Sequence, residues 1–319
     1  MITVIIPYYQ NKAGVLSRAL KSIAIQKKTS MPIHVLIVDD GSPISAESEL
    51  KSIGQIFCNV QILLQPNGGP GAARNTGLDH TPAETRYIAF LDSDDEWSDD
   101  HLVRAVAALN AGYEFYFADH YQLNSTIGAF ARAGRIQPSQ HPKLATTHLN
   151  LHAYQGNLLD QIIRSNVIGT STVVYDFLQF SKNRFNVEFT NAGEDYLFWM
   201  NIAHSGAKVA FSGQCEAYYG YGVNIYAGSG WGSEKHLLRI HNEIKYKKLI
   251  LELFPVSHLQ LEHINLSLEK LRLSFAQDLL HRVVHRKKIS FNLLKKHWRL
   301  DPLSFLSLPI VIKNILFKR

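Results

Sequence analysis

The sequence predicts an α/β protein with a mostly parallel sheet flanked by helices, followed by a helical C-terminal extension. Two observations carry this. Four short apolar runs, Ile2–Ile6, Ile33–Val38, Val60–Leu64 and Tyr87–Leu91, are separated by stretches with helical or turn character. Strands buried on both faces read as continuous apolar runs, and strand–helix alternation builds parallel sheets. From Ser257 onward, Leu261, Ile264, Leu268, Leu271 and Phe275 recur at spacings of three and four, the period of a helix.

The elements between these runs follow in order. Val15, Leu16, Ala19, Leu20 and Ile23 lie on one helical face. Pro70 fits the first turn of a helix through Ala72, Ala73 and Leu78, because a first-turn N–H has no intrahelical partner to lose. Ser98 or Asp99 is the expected cap of a helix through Leu102, Val106 and Leu109. Further on, Ile168–Tyr175 reads as a strand. Residues 191–204 read as a loop leading into a helix, and the Gly- and Tyr-rich residues 213–232 as a loop.

With 46% hydrophobic and 19% charged residues, the chain has the composition of a globular protein with a real core. Cys58 and Cys215 stand far apart, with no CxxC and no Cys/His cluster. This argues against a disulfide scaffold or a zinc site and for a reducing compartment. The start, MITVIIPYY, has no basic leader and its apolar run stops at Pro7, so it reads as a buried strand. No apolar stretch reaches the roughly 18–20 residues of a membrane span. The expectation is therefore a cytoplasmic protein. Its basicity is concentrated at one end: residues 279–319 hold ten Lys/Arg and one Asp, which suggests an anionic partner.

In parallel sheets, ligands lie beyond the carboxyl ends of the strands, and here each such end is decorated. Asp92-Ser93-Asp94-Asp95 follows the fourth run. Carboxylates at i and i+2 can converge on Mn²⁺ or Mg²⁺, which favour oxygen ligands. A solvated turn capping the next helix would use the same residues. Asp39 and Asp40 end the second run; they suit a base N–H or ribose hydroxyl, and equally a turn. Gly68-Gly69-Pro70-Gly71-Ala72-Ala73-Arg74-Asn75 permits close backbone approach, with Arg74 in reach of a phosphate. It lacks Gly-Lys-Ser/Thr and is no P-loop. Gly193-Glu194-Asp195 heads an apolar helix, where acidic residues also favour the helix dipole.

Taken together, VIIPYYQ, VDDGS, GGPGAARNTGL, FLDSDDEW and GEDYLFW resemble, in order and spacing, the family-2 glycosyltransferases of GT-A fold over about residues 1–230. QPNGGPGAARNTGLDHTP and GYGVNIY resemble the β-1,3-glucosyltransferases of succinoglycan-type exopolysaccharides. The resemblance implies a GT-A catalytic domain over 1–235, with a nucleotide-binding half (1–112) and an acceptor half (113–235), and a basic helical extension over 236–319. It also implies an inverting, UDP-sugar-dependent hexosyl transfer, with UDP-glucose as the expected donor. Tyr9 would lie against uracil, Asp39 would bond its N3–H, and Arg74 would help hold the nucleotide. Pro7, Asp40, Gly69 and Ser93 belong to the same nucleotide-binding set. Asp92 would contact the ribose or metal region. Asp94 would be the main ligand of Mn²⁺ or Mg²⁺, with Asp95 nearby, and Asp195 would be the catalytic base.

The chain departs from the family pattern at three places. Met200-Asn201 stands where many relatives carry Arg, and Tyr219–Asn224 has no His, leaving Asn224 as the candidate substitute. The processive QxxRW signature is absent, which implies single additions. Asp119 and His120 are candidate acceptor contacts. Over His281–Arg299, seven Lys/Arg alternate with Val283, Val284, Ile289, Phe291, Leu293, Leu294 and Trp298. This fits an anionic membrane surface rather than nucleic acid, and hence a peripheral enzyme facing a polyprenyl-diphosphate-linked acceptor; a packed helical subdomain is the structural alternative. A sugar nucleotidyltransferase would share the α/β sheet but needs a Gly- and Arg-rich loop after the first strand. A non-catalytic polysaccharide-binding protein would not need Asp94 and Asp195 together.

Overall fold

The four apolar runs become four parallel strands of one sheet. The computed structural model describes residues 1–26, 29–54, 59–123, 125–146, 150–189, 193–222, 230–233 and 235–316; Cys58 and Asn224 lie outside them. The chain forms two compact units, Met1–Thr190 with Glu194–Val223, and Asn191–Gly193 with Asn224–Arg319.

The first unit holds β1 (Ile2–Tyr8), β2 (Ile33–Asp39), β3 (Val60–Leu64), β4 (Tyr87–Phe90), β5 (Glu96–Trp97), β6 (Phe115–Tyr121), β7 (Leu151–Ala153), β8 (Val174–Asp176) and β9 (Val209–Tyr218). The order is β3-β2-β1-β4-β8-β6-β9-β5, with β7 also on β9. β1 lies between β2 and β4, with Ile5 opposite Leu36 and Phe90. β8 is antiparallel to both β4 and β6, so β6 runs in the direction of β4. The carboxyl ends of β1, β2, β3, β4 and β6 therefore share one edge. The sheet is parallel over its first four strands and mixed beyond them.

Both faces are covered. On one, Ile2, Val4 and Ile6 join the same buried cluster as Leu16, Ala19, Leu20 and Ile23 of the Leu16–Ala24 helix. On the other, the Pro70–Asp79 helix comes close to β1: a Cβ at Gly77 would sit 2.6 Å from Ile5 Cγ2. Pro70 occupies the first turn as its chemistry requires. An aromatic cluster of Phe90, Phe185, Phe198 and Trp199 seats the Glu194–His204 helix, with Phe185 and Phe198 stacked at 4.3 Å.

Three local expectations are corrected. The helix expected to be capped by Ser98 or Asp99 spans His101–Asn110, with Asp100 at the cap position and 3.5 Å from Arg104. Of the expected 168–175 strand only Val174 and Tyr175 join the sheet, in β8; Thr170–Thr172 is a 3₁₀ turn. The expected 213–232 loop begins as the second half of β9. That strand carries Ser212 and Glu216 in the interior, where the apolar signal of a strand is missing. Glu216 accepts from Tyr116 Oη at 2.7 Å and lies 3.0 Å from His101 Nδ1. Neither partner is near it in sequence.

The second unit is helical, with His236–Leu253, His258–Val284, Phe291–Leu300, Leu303–Leu306 and Leu308–Leu316. Ser257 and Gln260 form a capping box at the long helix, and Ile264, Leu268 and Phe275 are its buried stripe. Asp301 is wholly buried. It accepts two hydrogen bonds from Arg272 at 2.9 and 2.8 Å and one from Ser304 at 2.7 Å, and lies 3.0 Å from Lys248. Burial alone would raise its pKa, but the hydrogen bonds from Arg272, Ser304 and Lys248 overcome it and hold the carboxyl well below the usual carboxylate range.

A carboxyl whose folded pKa is depressed contributes stability that is present above its unfolded value and lost as pH falls toward the folded one. Asp301→Asn should therefore destabilise this unit by about 1–3 kcal/mol, because it leaves the half-buried Arg272 and Lys248 without a counter-charge. The difference between wild type and variant in urea melts should shrink below about pH 4, near the unfolded value. A variant as stable as wild type at neutral pH would remove Asp301 as the anchor.

Candidate active site

β4 ends at the sheet edge and the chain turns through Asp92–Asp95, with Asp95 N–H donating to Asp92 O at 3.0 Å. Successive side chains of this turn diverge. Ser93 and Asp95 are buried, whereas Asp92 and Asp94 are half-buried. Ser93 Oγ accepts from Gln10 Nε2 at 3.1 Å. Asp95 accepts from Ser171 Oγ at 2.5 Å and from Gly220 N–H at 2.9 Å. Ser171 Oγ also accepts from Asp92 N–H at 3.0 Å, so the 3₁₀ turn is the clamp on the acidic loop.

The carboxylates of the expected metal set take different partners. Asp95 is turned inward onto a hydroxyl and an amide, and Asp92 is drawn to Arg74. Among the described residues, no group of three or more His, Cys, Asp or Glu side chains is placed to hold a metal ion. Asp94 stays at the edge, and burial followed by the charge of Asp92 pushes its carboxyl up to about 6. Burial, Asp92 and Asp94 likewise raise Asp95 well above its ordinary value. Carboxylates that raise one another's pKa mark a place where added positive charge is stabilised. The donor set thus fits a divalent cation held by Asp94, with a nucleotide diphosphate supplying further oxygens. Gly220 and Gly222 lie directly against Asp94, and a Cβ at either would overlap it.

Arg74 is the cation of the site. It is 3% exposed. Its Nη2 donates to Asp92 Oδ1 at 2.6 Å and its Nη1 to Glu194 Oε1 at 3.3 Å, and its guanidinium lies 5.4 Å from the Phe185 ring centre. Burial opposes its charge, but Asp92 and Glu194 overcome this and hold its pKa above the ordinary value. The reading of Arg74 as a nucleotide contact missed this bridge, because Glu194 lies 120 positions away.

Asp40 and Gly69, both expected in the nucleotide-binding set, bind each other. Asp40 Oδ2 accepts from Gly69 N–H and Oδ1 from Gly68 N–H, each at 2.8 Å, and Oδ1 accepts from Gln65 Nε2 at 2.7 Å. The glycine loop's amides are thereby committed, with Gly69 at φ +87°. Asp39 accepts from Ser42 N–H and Ala46 N–H at 2.8 Å each; each oxygen retains a lone pair for another donor. Pro7 is half-buried inside β1, and Tyr9 is 40% exposed just past its end. Tyr9 thus has a free ring face at the edge where Asp39 ends β2.

Asp195 lies in the first turn of the Glu194–His204 helix and is half-buried. Tyr196 N–H donates to its Oδ1 at 2.9 Å and Thr170 Oγ1 to its Oδ2 at 3.2 Å. Burial raises its pKa, with Arg74, Tyr196 N–H and Thr170 acting in the opposite direction. Glu194 is raised by burial and by the charge of Asp195, and lowered by Arg74. The structure brings Arg74, Asp92 and Asp195 together around Glu194, while Asp94 and Asp95 close the same acidic edge. Asp119 is occupied elsewhere: it accepts from Phe130 N–H at 3.0 Å and His120 N–H at 2.8 Å. His120 stacks on Tyr219 at 4.6 Å, and burial lowers it to about 4.

A mixed sheet with its nucleotide motifs and acidic loop along one edge defines a GT-A glycosyltransferase. Residues 3–173 match the family described as Glycosyl transferase family 2, and the chain belongs to that family. It is 35% identical over 232 residues to the succinoglycan biosynthesis protein ExoW of Rhizobium meliloti (strain 1021), an overlap of 70% of each chain. Two solved structures share the fold at lower identity. The S. aureus TarS 1–349 complex with UDP-GlcNAc has a TM-score of 0.56 at 18% identity, over 96% of this chain and 83% of that one. The mannosyltransferase PcManGT from Pyrobaculum calidifontis, in complex with GDP-Man and Mn²⁺, has a TM-score of 0.57 at 15% identity, over 96% and 80%.

Arg74→Met keeps the length of the side chain but leaves Glu194 buried with no counter-charge. It should cost about 3–5 kcal/mol of stability, the range for breaking a buried pair, as read by chemical denaturation. A loss within the ~1 kcal/mol of a surface pair would show that the bridge does not organise the site.

Proposed function

We propose that this chain transfers a hexosyl unit, glucose foremost, from a UDP-sugar to a hydroxyl of a glycan in exopolysaccharide or surface-polysaccharide assembly, with inversion at the anomeric carbon. The observation that carries this reading is the placement of Asp195. A half-exposed carboxylate is fixed by two hydrogen bonds beside the acidic loop of a family-2 chain. The similarity to a succinoglycan biosynthesis protein supports the polysaccharide context, and the family's nucleotide motifs support UDP.

In this mechanism Tyr9 stacks on the uracil and Asp39 accepts its N3–H. Asp92 and Ser93 lie toward the ribose, and Pro7 shapes the floor beneath the base. Asp195 takes the proton of the acceptor hydroxyl as that oxygen attacks the anomeric carbon, while the bond to the diphosphate oxygen breaks on the opposite face. The electron pair of the broken bond leaves with UDP. Burial makes Asp195 a stronger base than a free carboxylate, as general-base catalysis near neutral pH favours. Thr170 and Tyr196 N–H hold the carboxylate in one orientation. Asp94 would hold a Mn²⁺ or Mg²⁺ ion, which would supply positive charge against the leaving diphosphate.

UDP release from UDP-glucose in the presence of Mn²⁺ tests the chemistry. Activity should vanish with EDTA and in Asp94→Ala. Asp195→Asn should cut transfer by roughly 10²–10⁴-fold while leaving UDP binding nearly unchanged, the range for a lost general base. Full activity without metal would remove the cation from the mechanism, and wild-type transfer by Asp195→Asn would make Asp195 a helix-end residue only.

The helical unit supports a second part of the proposal, peripheral attachment to the inner face of the membrane beside a polyprenyl-diphosphate-linked acceptor. Phe291 is 83% and Trp298 54% exposed on one helix, among exposed Lys295, Lys296 and Arg299; Leu306, Ile310 and Ile312 follow, also exposed. Among the described residues, no helix is long and apolar enough to cross a membrane. Basic residues near an anionic leaflet contribute about 1 kcal/mol each, and the attraction is screened by salt. The intact protein should therefore co-sediment with phosphatidylglycerol vesicles at low salt, less at high salt, and not with neutral vesicles. No binding to anionic vesicles at low salt would leave the tail a structural subdomain.

A further inference from the structure

At the same sheet edge, on the far side of the acidic loop from the nucleotide motifs, lies a cavity of about 330 Å³ that the reading above does not use. It is lined by Tyr121, Gln122, Ser125, Thr126, Tyr218 and Tyr219. We propose that this cavity is a subsite of the acceptor glycan, binding one neutral hexopyranose ring next to the ring that reacts. The inference rests on the glycosyltransferase reading and adds to it the place and chemistry of the second substrate.

Three features carry it. The first is the lining. Three tyrosines, one amide and two hydroxyls surround the space, and none of these residues carries a formal charge at neutral pH. A phosphate-bearing donor needs cations or a metal in contact with it, so this chemistry selects a neutral polyol. Tyr121 and Tyr218 stand 5.5 Å apart with ring planes at 33°, and Tyr218 is 39% exposed. Together they offer an open aromatic face to the C–H face of a pyranose. Gln122 and Thr126 are exposed at the rim and supply donors and acceptors for its hydroxyls. The turn they sit on is braced by Ser125 N–H donating to Gln122 O and Ser125 Oγ donating to Ile127 O, both at 2.8 Å.

The second feature is size. Pockets for drug-sized ligands run to roughly 300–1,000 Å³, and this cavity lies at the small end of that range. It suits a single ring better than a nucleotide-sugar.

The third is position. The ring of Tyr219 is shared between the cavity and the acidic site. It stacks on His120, and its hydroxyl packs so closely on Gly169 that a Cβ there would overlap both Tyr219 and His120. The next residue, Thr170, is the one that donates to Asp195. A sugar in the cavity is thereby one aromatic ring away from the base, on the side opposite the nucleotide motifs.

The test separates the two substrates. Saturation-transfer NMR with laminaritriose, cellotriose and lactose as probes, irradiating the protein's aromatic protons, is run with and without UDP and Mn²⁺, and UDP affinity is measured by calorimetry. Wild-type protein should transfer saturation to pyranose C–H protons of at least one probe. Tyr218→Ala, which removes the stacking face, and Thr126→Trp, which fills the cavity, should each weaken that probe about tenfold or more, the order expected for one aromatic contact. UDP affinity should stay within about twofold of wild type, which also reports that the variants are folded. Saturation of no probe, or equal saturation in both variants, overturns the cavity assignment. Failure of the wild type to bind UDP counts against the donor reading alone, since the oligosaccharide signal is read without UDP as well.

Discussion

Arg74 carries a full charge in the interior of the sheet edge, and most of the site is arranged around that charge. Placing a guanidinium out of water costs several kcal/mol unless carboxylates and hydrogen bonds compensate it. Here Asp92 comes from the acidic loop and Glu194 from the head of a helix more than a hundred residues later. Neither element reaches the other directly. The guanidinium joins them, and Asp195 is held next to the bridge. Phe185, beneath Arg74, is stacked on Phe198 of the same helix, so aromatic packing and charge pairing fix one geometry.

That bridge leaves the edge acidic. Asp94, Asp95 and Asp195 add their charges to the paired Asp92 and Glu194, and among the described residues Arg74 is the buried cation that faces them. The raised pKa values of Asp94, Asp95, Glu194 and Asp195 share burial as their first cause. Asp95 and Glu194 hold the loop and the guanidinium in place, while Asp94 and Asp195 stay half-buried at the edge. The acidic motifs therefore divide into side chains turned inward and side chains left at the edge, and in the loop the division follows side-chain direction along the turn.

The glycine loop shows the same division. Its amides look available for a phosphate, yet Asp40 already accepts two of them. The loop is thereby pinned to the end of β2, which places Pro70 and the helix carrying Arg74. Farther along the edge, Gly220 and Gly222 lie against Asp94 without side chains of their own. The chain there approaches the acidic loop by backbone.

By itself the sequence determined the four parallel strands, the helix opened by Pro70, the acidic loop at the end of β4, Asp195 at a helix head and the family. Each of these leaves a local mark: an apolar run, a turn residue, a short motif at fixed spacing. Only the tertiary structure decided what holds each carboxylate. Asp95 looks like Asp94 in the chain, and it differs because Ser171 and Gly220 arrive from elsewhere to bind it; Asp39 and Asp40 are both buried, each held by two backbone N–H groups. β9 was illegible for a related reason. Its buried Glu216 is satisfied by Tyr116 and His101 across the sheet, so polarity in the sequence does not report exposure in the fold. The aromatic cavity belongs to the same class, since Tyr121 and Tyr218 become neighbours only when β6 and β9 pair. Periodicity records what a residue does for its own element; the partner of a buried polar group is set by contacts that span the chain.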